Sequence, residues 1–265
     1  SGYSVDQAVV IQPGTFNTSS IDSKNKKENY SSTYGILGET ENGVQSEYVL
    51  LKPENVYPKP SHLSFEEAAS IPLVFMTSYQ MLVERAKIKE SDIILIYGGT
   101  SGIGMAAIQI AKDIGATVIT TVGNDKKMNF VRGLNPDYIL NHQDDELYKK
   151  IKKISSRGVD IVFEHIGPST WQQSIRALAI GGKIVTCGAT TGNKVSIDLR
   201  HLFMKQQSIL GSTMGSLSTF KNVIKNINDM KYQPYIDKIY NFKDIKEAHM
   251  RMENREHFGK IILIP

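Results

Sequence analysis

The sequence predicts an α/β fold organised around a doubly wound parallel sheet. Residues 93–97 form a continuous apolar segment without polar alternation, which is typical of a strand buried on both faces. Further apolar strands and amphipathic helices alternate as far as residue 211. A glycine-rich turn at 98–104 joins the first of these strands to its helix, as in nucleotide-binding sheets.

The first part of the chain predicts short strands and turns. Residues 7–11 and 46–51 predict strands. Residues 15–33 are polar without apolar periodicity and predict a surface loop or lobe. Ser64 and Glu67 have the spacing of a capping box, which predicts a helix beginning after Ser64.

Pro72 ends that first helix, and apolar residues at helical spacing predict a second helix over 73–86. The remaining predicted strands are 93–97, 117–122, 138–140, 160–163, 183–187, 208–211, one near Tyr240, and 260–264. The main predicted helices are 102–114, 125–132, 219–230 and 243–252.

Composition excludes several classes of protein. The 265 residues are 40% hydrophobic, which suits one or two globular domains. No segment approaches the roughly 18 consecutive apolar residues of a membrane span, and no secretory leader is visible. The 31 basic and 27 acidic residues are dispersed, so we expect neither a nucleic-acid nor a membrane partner.

The chain has one cysteine, Cys187. A single thiol excludes an intramolecular disulfide and any zinc site built from two or more cysteines. It is consistent with a reducing compartment, and we expect a cytoplasmic protein. Because Cys187 ends an apolar strand, we interpret it as a buried, unreactive thiol.

The glycine-rich turn predicts a dinucleotide site of the Rossmann type. Glycines allow the backbone to approach a pyrophosphate, and the following helix N-terminus offers unpaired N–H groups. The strand before the turn and the helix after it supply the context that this motif requires. The predicted cofactor residues of the turn are Gly99, Thr100, Ser101, Gly102, Ile103 and Gly104.

The end of the second strand predicts which nucleotide binds. No acidic residue stands at the strand tip, where it would bind the ribose 2′-hydroxyl of NADH. Asn124, Lys126 and Lys127 could instead bind a 2′-phosphate. Asp125 lies one residue later, where a cap of the next helix is at least as likely as a role at the ribose. We therefore expect NADPH, with NADH as the possible alternative.

Tyr148 and Lys152 match the Tyr-x-x-x-Lys spacing of short-chain dehydrogenases. In that family the glycine turn opens the chain, whereas here some ninety residues precede it. The pair also lies in a lysine-rich segment that predicts a solvated helix face. We therefore reject the hypothesis that Tyr148 and Lys152 form a catalytic pair of that kind.

Several segments together resemble the medium-chain dehydrogenase/reductase superfamily. They are Tyr34-Gly35-Ile36-Leu37-Gly38-Glu39, residues 63–72, the glycine turn, Val162-Phe163-Glu164-His165-Ile166-Gly167, residues 181–192 and residues 258–263. The resemblance implies a Rossmann domain inserted in a GroES-like β-barrel. It implies a partial GroES-like catalytic domain over 1–74, the dinucleotide-binding domain over 75–214 and a return to the catalytic domain over 215–265.

Departures from the family pattern indicate a zinc-independent member. The positions of the four structural-zinc cysteines carry other residues: Asn17, Ser20, Ser23 and Ser31. Thr77-Ser78-Tyr79 matches a family motif whose catalytic-zinc ligand position is occupied here by Leu73. None of these side chains offers the thiolate that such sites use.

Relatives are also expected to carry roughly 70 to 80 further residues of barrel before the segment that resembles residues 4–13. We therefore expect the present chain to lack the N-terminal part of the catalytic domain.

By resemblance, Thr77 lies beside the nicotinamide, and the loops after the last two parallel strands border it. Those loops contain Gly188, Ala189, Gly211 and Ser212. His165 is expected to line the cofactor cleft or to be satisfied structurally. Three tyrosines are conceivable proton donors and remain unranked: Tyr34, Tyr48 and Tyr79.

The sequence thus predicts an NADPH-dependent reductase that transfers hydride to an activated C=C or quinone without zinc, resembling quinone oxidoreductases and enoyl reductases. The alternatives are a zinc-type alcohol dehydrogenase and a non-catalytic nucleotide-binding paralogue. The expected partners are a small-molecule substrate and further copies of the chain, as a homodimer or homotetramer.

Overall fold

The computed structural model describes residues 2–19 and 21–265. These residues form two compact units. One unit comprises Ser1–Thr77 and Met214–Pro265, and the other is the continuous segment Ser78–Thr213. No helix of the described residues is long and apolar enough to cross a membrane.

The first unit begins with short elements. They are β1 (Val9–Ile11), β2 (Gly14–Thr15), α1 (Ile21–Lys24), β3 (Gly35–Ile36) and β4 (Val56–Pro58). β1 pairs antiparallel with β4, and β2 with β3. Of the two predictions for residues 15–33, a lobe fits better than a loop, because the segment contains α1 and a 3-10 turn at Glu28–Tyr30. Glu28 is buried there, and its carboxyl accepts a hydrogen bond from the N–H of Leu217.

The predicted strand over 46–51 is also wrong. The segment is irregular, and Tyr48 and Leu50 are 89% and 99% exposed. A strand needs a neighbour for its N–H and C=O groups, and none of the described strands pairs with this segment.

Two helices follow, α2 (Phe65–Ala69) and α3 (Pro72–Tyr79), and α3 continues as a π-helical segment over Gln80–Arg85. Both hydrogen bonds of the predicted capping box form: Glu67 N–H donates to the Ser64 hydroxyl, and Ser64 N–H donates to the Glu67 carboxyl. The boundary between the two units falls within α3, after Thr77.

The second unit is a six-stranded parallel sheet with helices between its strands. Its elements are β5 (Ile93–Ile96), α4 (Gly102–Ile114), β6 (Thr117–Val122), α5 (Asp125–Val131), β7 (Tyr138–Asn141), α6 (Leu147–Ile154), β8 (Val159–Glu164), α7 (Pro168–Ala177), β9 (Leu178–Thr186), α8 (Leu199–Met204) and β10 (Ser208–Gly211). The strand order β10-β9-β8-β5-β6-β7 confirms the predicted doubly wound class. The chain runs outward from β5 to β7 and returns to β8 on the other side of β5, so the topological switch point lies between β5 and β8.

The first unit is completed by α9 (Leu217–Asn228), β11 (Ile236–Asn241), α10 (Ile245–Glu253) and β12 (Lys260–Ile264). Helix α9 begins after Ser216, whose hydroxyl accepts a hydrogen bond from Thr219 N–H. β11 and β12 pair in parallel, with α10 between them in the chain.

Candidate nucleotide-binding site

The glycine turn is held by the strand next to it. Gly99 N–H donates to the carbonyl oxygen of Thr121 at 2.9 Å, and the Thr120 hydroxyl donates to the carbonyl oxygen of Ile96 at 3.0 Å. A Cβ atom at Gly99 would lie 2.3 Å from the Thr120 hydroxyl oxygen. The close approach of turn and strand therefore requires glycine at this position.

The turn leads into the N-terminus of α4. Ser101 is the N-cap residue, and its hydroxyl accepts a hydrogen bond from Gly104 N–H at 3.0 Å. Gly102 and Ile103 open the helix, where N–H groups have no intrahelical acceptor. With the positive end of the helix dipole, these groups form an environment that favours an anion.

At the end of β6, Asn124 caps α5 by accepting a hydrogen bond from Lys127 N–H at 2.9 Å. Of the two roles considered for Asp125, the helix cap is wrong, because Asn124 has the extended backbone of an N-cap and Asp125 lies in the first helical turn. Asn124, Lys126 and Lys127 thus lie on one short segment that follows β6.

His165 follows β8, and its ring is buried against the glycine turn. Its Nε2 atom lies 3.0 Å from the carbonyl oxygen of Tyr97. A Cβ atom at Gly98 would lie 3.4 Å from the same ring. Burial lowers the pKa of His165 below its usual value, which favours a neutral ring donating from Nε2 to Tyr97. The histidine thus has the structural bond that was one of its two expected roles.

The loops after β9 and β10 begin at adjacent strand ends. Ser212 N–H donates to the carbonyl oxygen of Thr186 at 2.9 Å, and the Arg85 guanidinium donates to the carbonyl oxygen of Gly211 at 2.8 Å. The hydroxyl oxygen of Ser212 is buried and has no hydrogen-bond partner among the described residues. A buried hydroxyl without a partner is costly, and a bound polar ligand would relieve that cost.

Glu164 lies in a segment that resembles the superfamily, but its sequence context predicts no role for it. It is the last residue of β8, and its side chain is fully buried. Its carboxyl oxygens accept hydrogen bonds from the N–H groups of Ile166 and Gly167 and from the hydroxyls of Thr170 and Ser174. The available signal was an acidic residue at the end of an apolar strand, just before a helix that starts at a proline.

The predicted residues of the second unit therefore share one location. They lie at the carboxyl ends of β5, β6, β8, β9 and β10, on both sides of the switch point. In doubly wound sheets, ligands bind at this edge. Within residues 2–19 and 21–265, no cluster of three or more His, Cys, Asp or Glu side chains could hold a metal ion.

Comparisons with known proteins find similar dehydrogenases and reductases. Residues 102–229 match the zinc-binding dehydrogenase family. A crotonyl-CoA reductase from Streptomyces avermitilis is 32% identical over 243 residues, which cover 84% of this chain and 55% of the relative. A zinc-type alcohol dehydrogenase-like protein from Schizosaccharomyces pombe is 30% identical over 240 residues, which cover 87% of this chain and 69% of the relative.

The crystal structure of an NAD-dependent alcohol dehydrogenase superimposes with a TM-score of 0.96 at 35% identity, over all of this chain and 78% of that one. The chain belongs to the medium-chain dehydrogenase/reductase superfamily. A 2-octenoyl-CoA carboxylase reductase, solved with NADP and 2-octenoyl-CoA, superimposes with a TM-score of 0.92 at 28% identity. That match covers 97% of this chain and 62% of the other. The chain spans little more than half the length of the crotonyl-CoA reductases it matches.

The superfamily's zinc positions have no thiolate in this chain. Leu73 is apolar and 44% exposed, and Asn17 and Ser31 offer only neutral side chains. Ser20 lies outside the described residues, and the side chain of Ser23 is not described. The one thiol, Cys187, is partly buried, and burial raises its pKa to about 12.

Thr77 and the three candidate tyrosines have different surroundings. Thr77 is buried in the first unit, and its hydroxyl contacts the Met214 sulfur at 3.8 Å. The Tyr34 hydroxyl donates to the carbonyl oxygen of Gly215 at 3.2 Å, and burial raises its pKa. Burial also raises the pKa of Tyr79. Tyr48 lies in the irregular, exposed segment.

Tyr148 and Lys152 lie on α6, as expected from the lysine-rich pattern. The Tyr148 ring is covered by the Arg176 guanidinium, 4.7 Å from the ring centroid. This contact gives Tyr148 a packing role.

Proposed function

We propose that this chain binds NADPH and takes part in zinc-independent hydride transfer to an activated C=C bond or a quinone. The observation that carries the proposal is the glycine turn at the switch point, with the capped N-terminus of α4 behind it. The resemblance to crotonyl-CoA reductase and quinone oxidoreductases supports the reaction class.

The described residues fit a dinucleotide. The backbone of residues 99–104 would hold the pyrophosphate, because the first turn of α4 offers N–H groups and a positive dipole end. Asn124 and Lys127 would receive the 2′-phosphate, and no acidic residue at the tip of β6 would repel it. The buried Ser212 hydroxyl, which lacks a partner in the described chain, supports a polar ligand near the ends of β9 and β10.

When bound, NADPH supplies a hydride from its nicotinamide ring. The chain's own contribution is to bind and orient that ring. We propose that Thr77, Gly188, Ala189, Gly211 and Ser212 border it and that His165 shapes the floor of the site. The tyrosine or solvent molecule that supplies the proton is not assigned.

Zinc independence rests on residue chemistry. A Lewis-acid site needs ligands, and the position of the catalytic ligand holds an apolar leucine, Leu73. Substrates that already carry an electron-poor carbon, such as enones, enoyl thioesters and quinones, need less polarisation by a metal. For them, hydrogen-bond donors or solvent can stabilise the developing oxyanion.

We further propose that the unit Ser78–Thr213 is the nucleotide-binding part of a cytoplasmic homodimer or homotetramer. The single cysteine supports a reducing compartment. Sedimentation velocity of the purified chain tests the oligomeric state.

The decisive experiment titrates NADPH and NADH by fluorescence and then follows NADPH oxidation with a quinone, an enone and an enoyl-CoA. We expect tighter binding of NADPH and turnover with at least one acceptor. If NADPH raises the melting temperature but no acceptor is reduced, the chain is a non-catalytic nucleotide-binding protein. If neither nucleotide binds, the proposal fails.

The likeness to an NAD-dependent alcohol dehydrogenase supports a second candidate, a zinc-type alcohol dehydrogenase. This candidate predicts alcohol oxidation with NAD that depends on added zinc. The zinc-free proposal predicts no such dependence.

A further inference from the structure

We propose that Glu164 is a positioning residue that holds two predicted cofactor segments, the glycine turn and the loop over 188–192, in their binding conformation. The proposal rests on the function proposed above and adds to it a residue that does not itself need to touch the nucleotide. All the contacts that carry it lie within the unit Ser78–Thr213.

The Glu164 carboxyl fixes the loop after β8 through buried hydrogen bonds. One carboxyl oxygen accepts from Ile166 N–H at 2.7 Å and from Gly167 N–H at 3.1 Å. The other accepts from the hydroxyls of Thr170 at 2.9 Å and Ser174 at 2.7 Å. Because the side chain is fully buried, water cannot replace these bonds.

The residue that enters α7 offers no side-chain cap, so the Glu164 carboxyl supplies the acceptor for the N–H of that residue. This N-cap residue is Gly167, which has no side chain and adopts φ 96° and ψ −138°. That conformation is open essentially only to glycine. The Glu164 carboxyl accepts from the N–H of Gly167 at this N-cap and from the Thr170 hydroxyl in the first turn, whereas the helix's own Ser169 N–H donates to the Thr191 hydroxyl at 3.3 Å.

This loop also contacts the glycine turn. His165, the next residue, places its ring against Gly98 and forms the 3.0 Å bond to the carbonyl oxygen of Tyr97. A shift of the loop would therefore change the support beneath the turn that is predicted to bind pyrophosphate.

The same loop contacts the segment after β9. The carbonyl oxygen of Ile166 accepts from Thr191 N–H at 2.9 Å and from the Thr191 hydroxyl at 2.8 Å. A Cβ atom at Gly167 would lie 3.0 Å from the carbonyl oxygen of Gly192. The loop that Glu164 fixes thus contacts both predicted cofactor segments.

Two substitutions distinguish the effect of the length of the Glu164 side chain from the effect of its charge. Glu164→Asp keeps the carboxyl but withdraws it by one methylene from Ile166 and Gly167. Glu164→Gln keeps the length and one oxygen acceptor for those N–H groups, and its amide nitrogen can donate to the Thr170 and Ser174 hydroxyls. Ser174→Ala is the matched control, because it removes one buried bond to Glu164 on the helix side and leaves both loop bonds intact.

Two readouts are compared, the NADPH dissociation constant and, without nucleotide, amide hydrogen exchange over residues 98–104, 165–168 and 188–192. We expect Glu164→Asp to raise the dissociation constant about tenfold and to speed exchange in all three segments. Glu164→Gln should stay within about threefold of wild type, and Ser174→Ala should lower the melting temperature with little change in either readout.

The proposal is overturned if Glu164→Gln is as impaired as Glu164→Asp, which would indicate a role of charge. It is also overturned if faster exchange is confined to residues 165–168, or if Ser174→Ala has the same effects. Because hydrogen exchange needs no nucleotide, it tests the positioning role even where wild-type protein binds neither NADPH nor NADH. If the wild-type protein binds neither NADPH nor NADH, the proposed function is refuted instead.

Discussion

His165 joins the ends of two adjacent strands, since its Nε2 atom lies 3.0 Å from the carbonyl oxygen of Tyr97. Tyr97 follows β5 and His165 follows β8, the two strands that flank the switch point of the sheet. The bond crosses 68 positions of sequence and brings a titratable ring against the glycine turn.

This buried ring predicts a pH dependence of stability. Burial lowers the pKa of His165 in the folded chain below the usual value of about 6.5. As the pH falls through that value, the unfolded chain takes up the proton first, so the free energy of unfolding decreases. His165 therefore favours the folded state least at acidic pH.

We expect the free energy of unfolding of the wild type to rise between about pH 5 and pH 7.5 by more than that of His165→Gln. Glutamine can still donate to Tyr97 but does not titrate. Urea unfolding of both proteins across this range measures the difference. Parallel pH profiles would contradict a lowered pKa.

The glycine turn predicts a steric effect. Gly99→Ala places a methyl group 2.3 Å from the Thr120 hydroxyl oxygen, so turn and strand must separate. We expect a loss of about 1 to 3 kcal/mol in stability and at least about a tenfold weaker affinity for NADPH. Gly133→Ala is the matched control, because nothing lies within 4 Å of its Cβ position. Equal effects of the two substitutions on nucleotide affinity would argue against a site at the turn.

The end of β6 predicts how cofactor preference can be changed. Asn124→Asp preserves the cap of α5, because aspartate is an equally good N-cap, but adds a negative charge where the 2′-phosphate is proposed to bind. We expect NADPH affinity to fall about tenfold while NADH affinity changes less than about threefold. Asn124→Ser, neutral and able to cap, is the control. If Asn124→Asp weakens both nucleotides equally, the 2′-phosphate assignment is wrong.

The residues at the superfamily's zinc positions predict insensitivity to metal removal. Leu73 has no donor atom, and Asn17 and Ser31 lack the thiolate of a structural site. Dialysis against a chelator should leave the melting temperature and NADPH oxidation unchanged, with well below one zinc ion per chain by metal analysis. Stoichiometric zinc whose removal abolishes activity would support the alcohol dehydrogenase reading instead.

Much of the geometry of the candidate nucleotide site could be predicted from the sequence, because its signals are local. The glycine turn, the N-cap Ser101 and the strand–turn–helix order lie within about fifteen consecutive residues and specify backbone geometry directly. The capping box at Ser64 and Glu67 is local in the same sense. The cap at Asn124 could not be predicted, because asparagine and the neighbouring aspartate both favour the N-cap position and differ here only in backbone conformation.

Other features depend on which segments become neighbours. Residues 46–51 have the composition of a strand and remain irregular, because strand formation depends on a partner as well as on propensity. Glu28 lies in a polar run and is nevertheless buried beside the start of α9.

The sequence by itself determined the parallel α/β class, the position of the glycine turn and the lack of thiolates at the superfamily's zinc positions. Only the tertiary structure decided that His165 bonds to Tyr97, that Thr120 leaves no room for a side chain at Gly99, and that the loop bonded to Glu164 contacts two segments predicted to bind the cofactor. The physical reason is that strand composition sets burial, whereas strand order sets which strand ends meet. That order becomes fixed only when the whole sheet is packed.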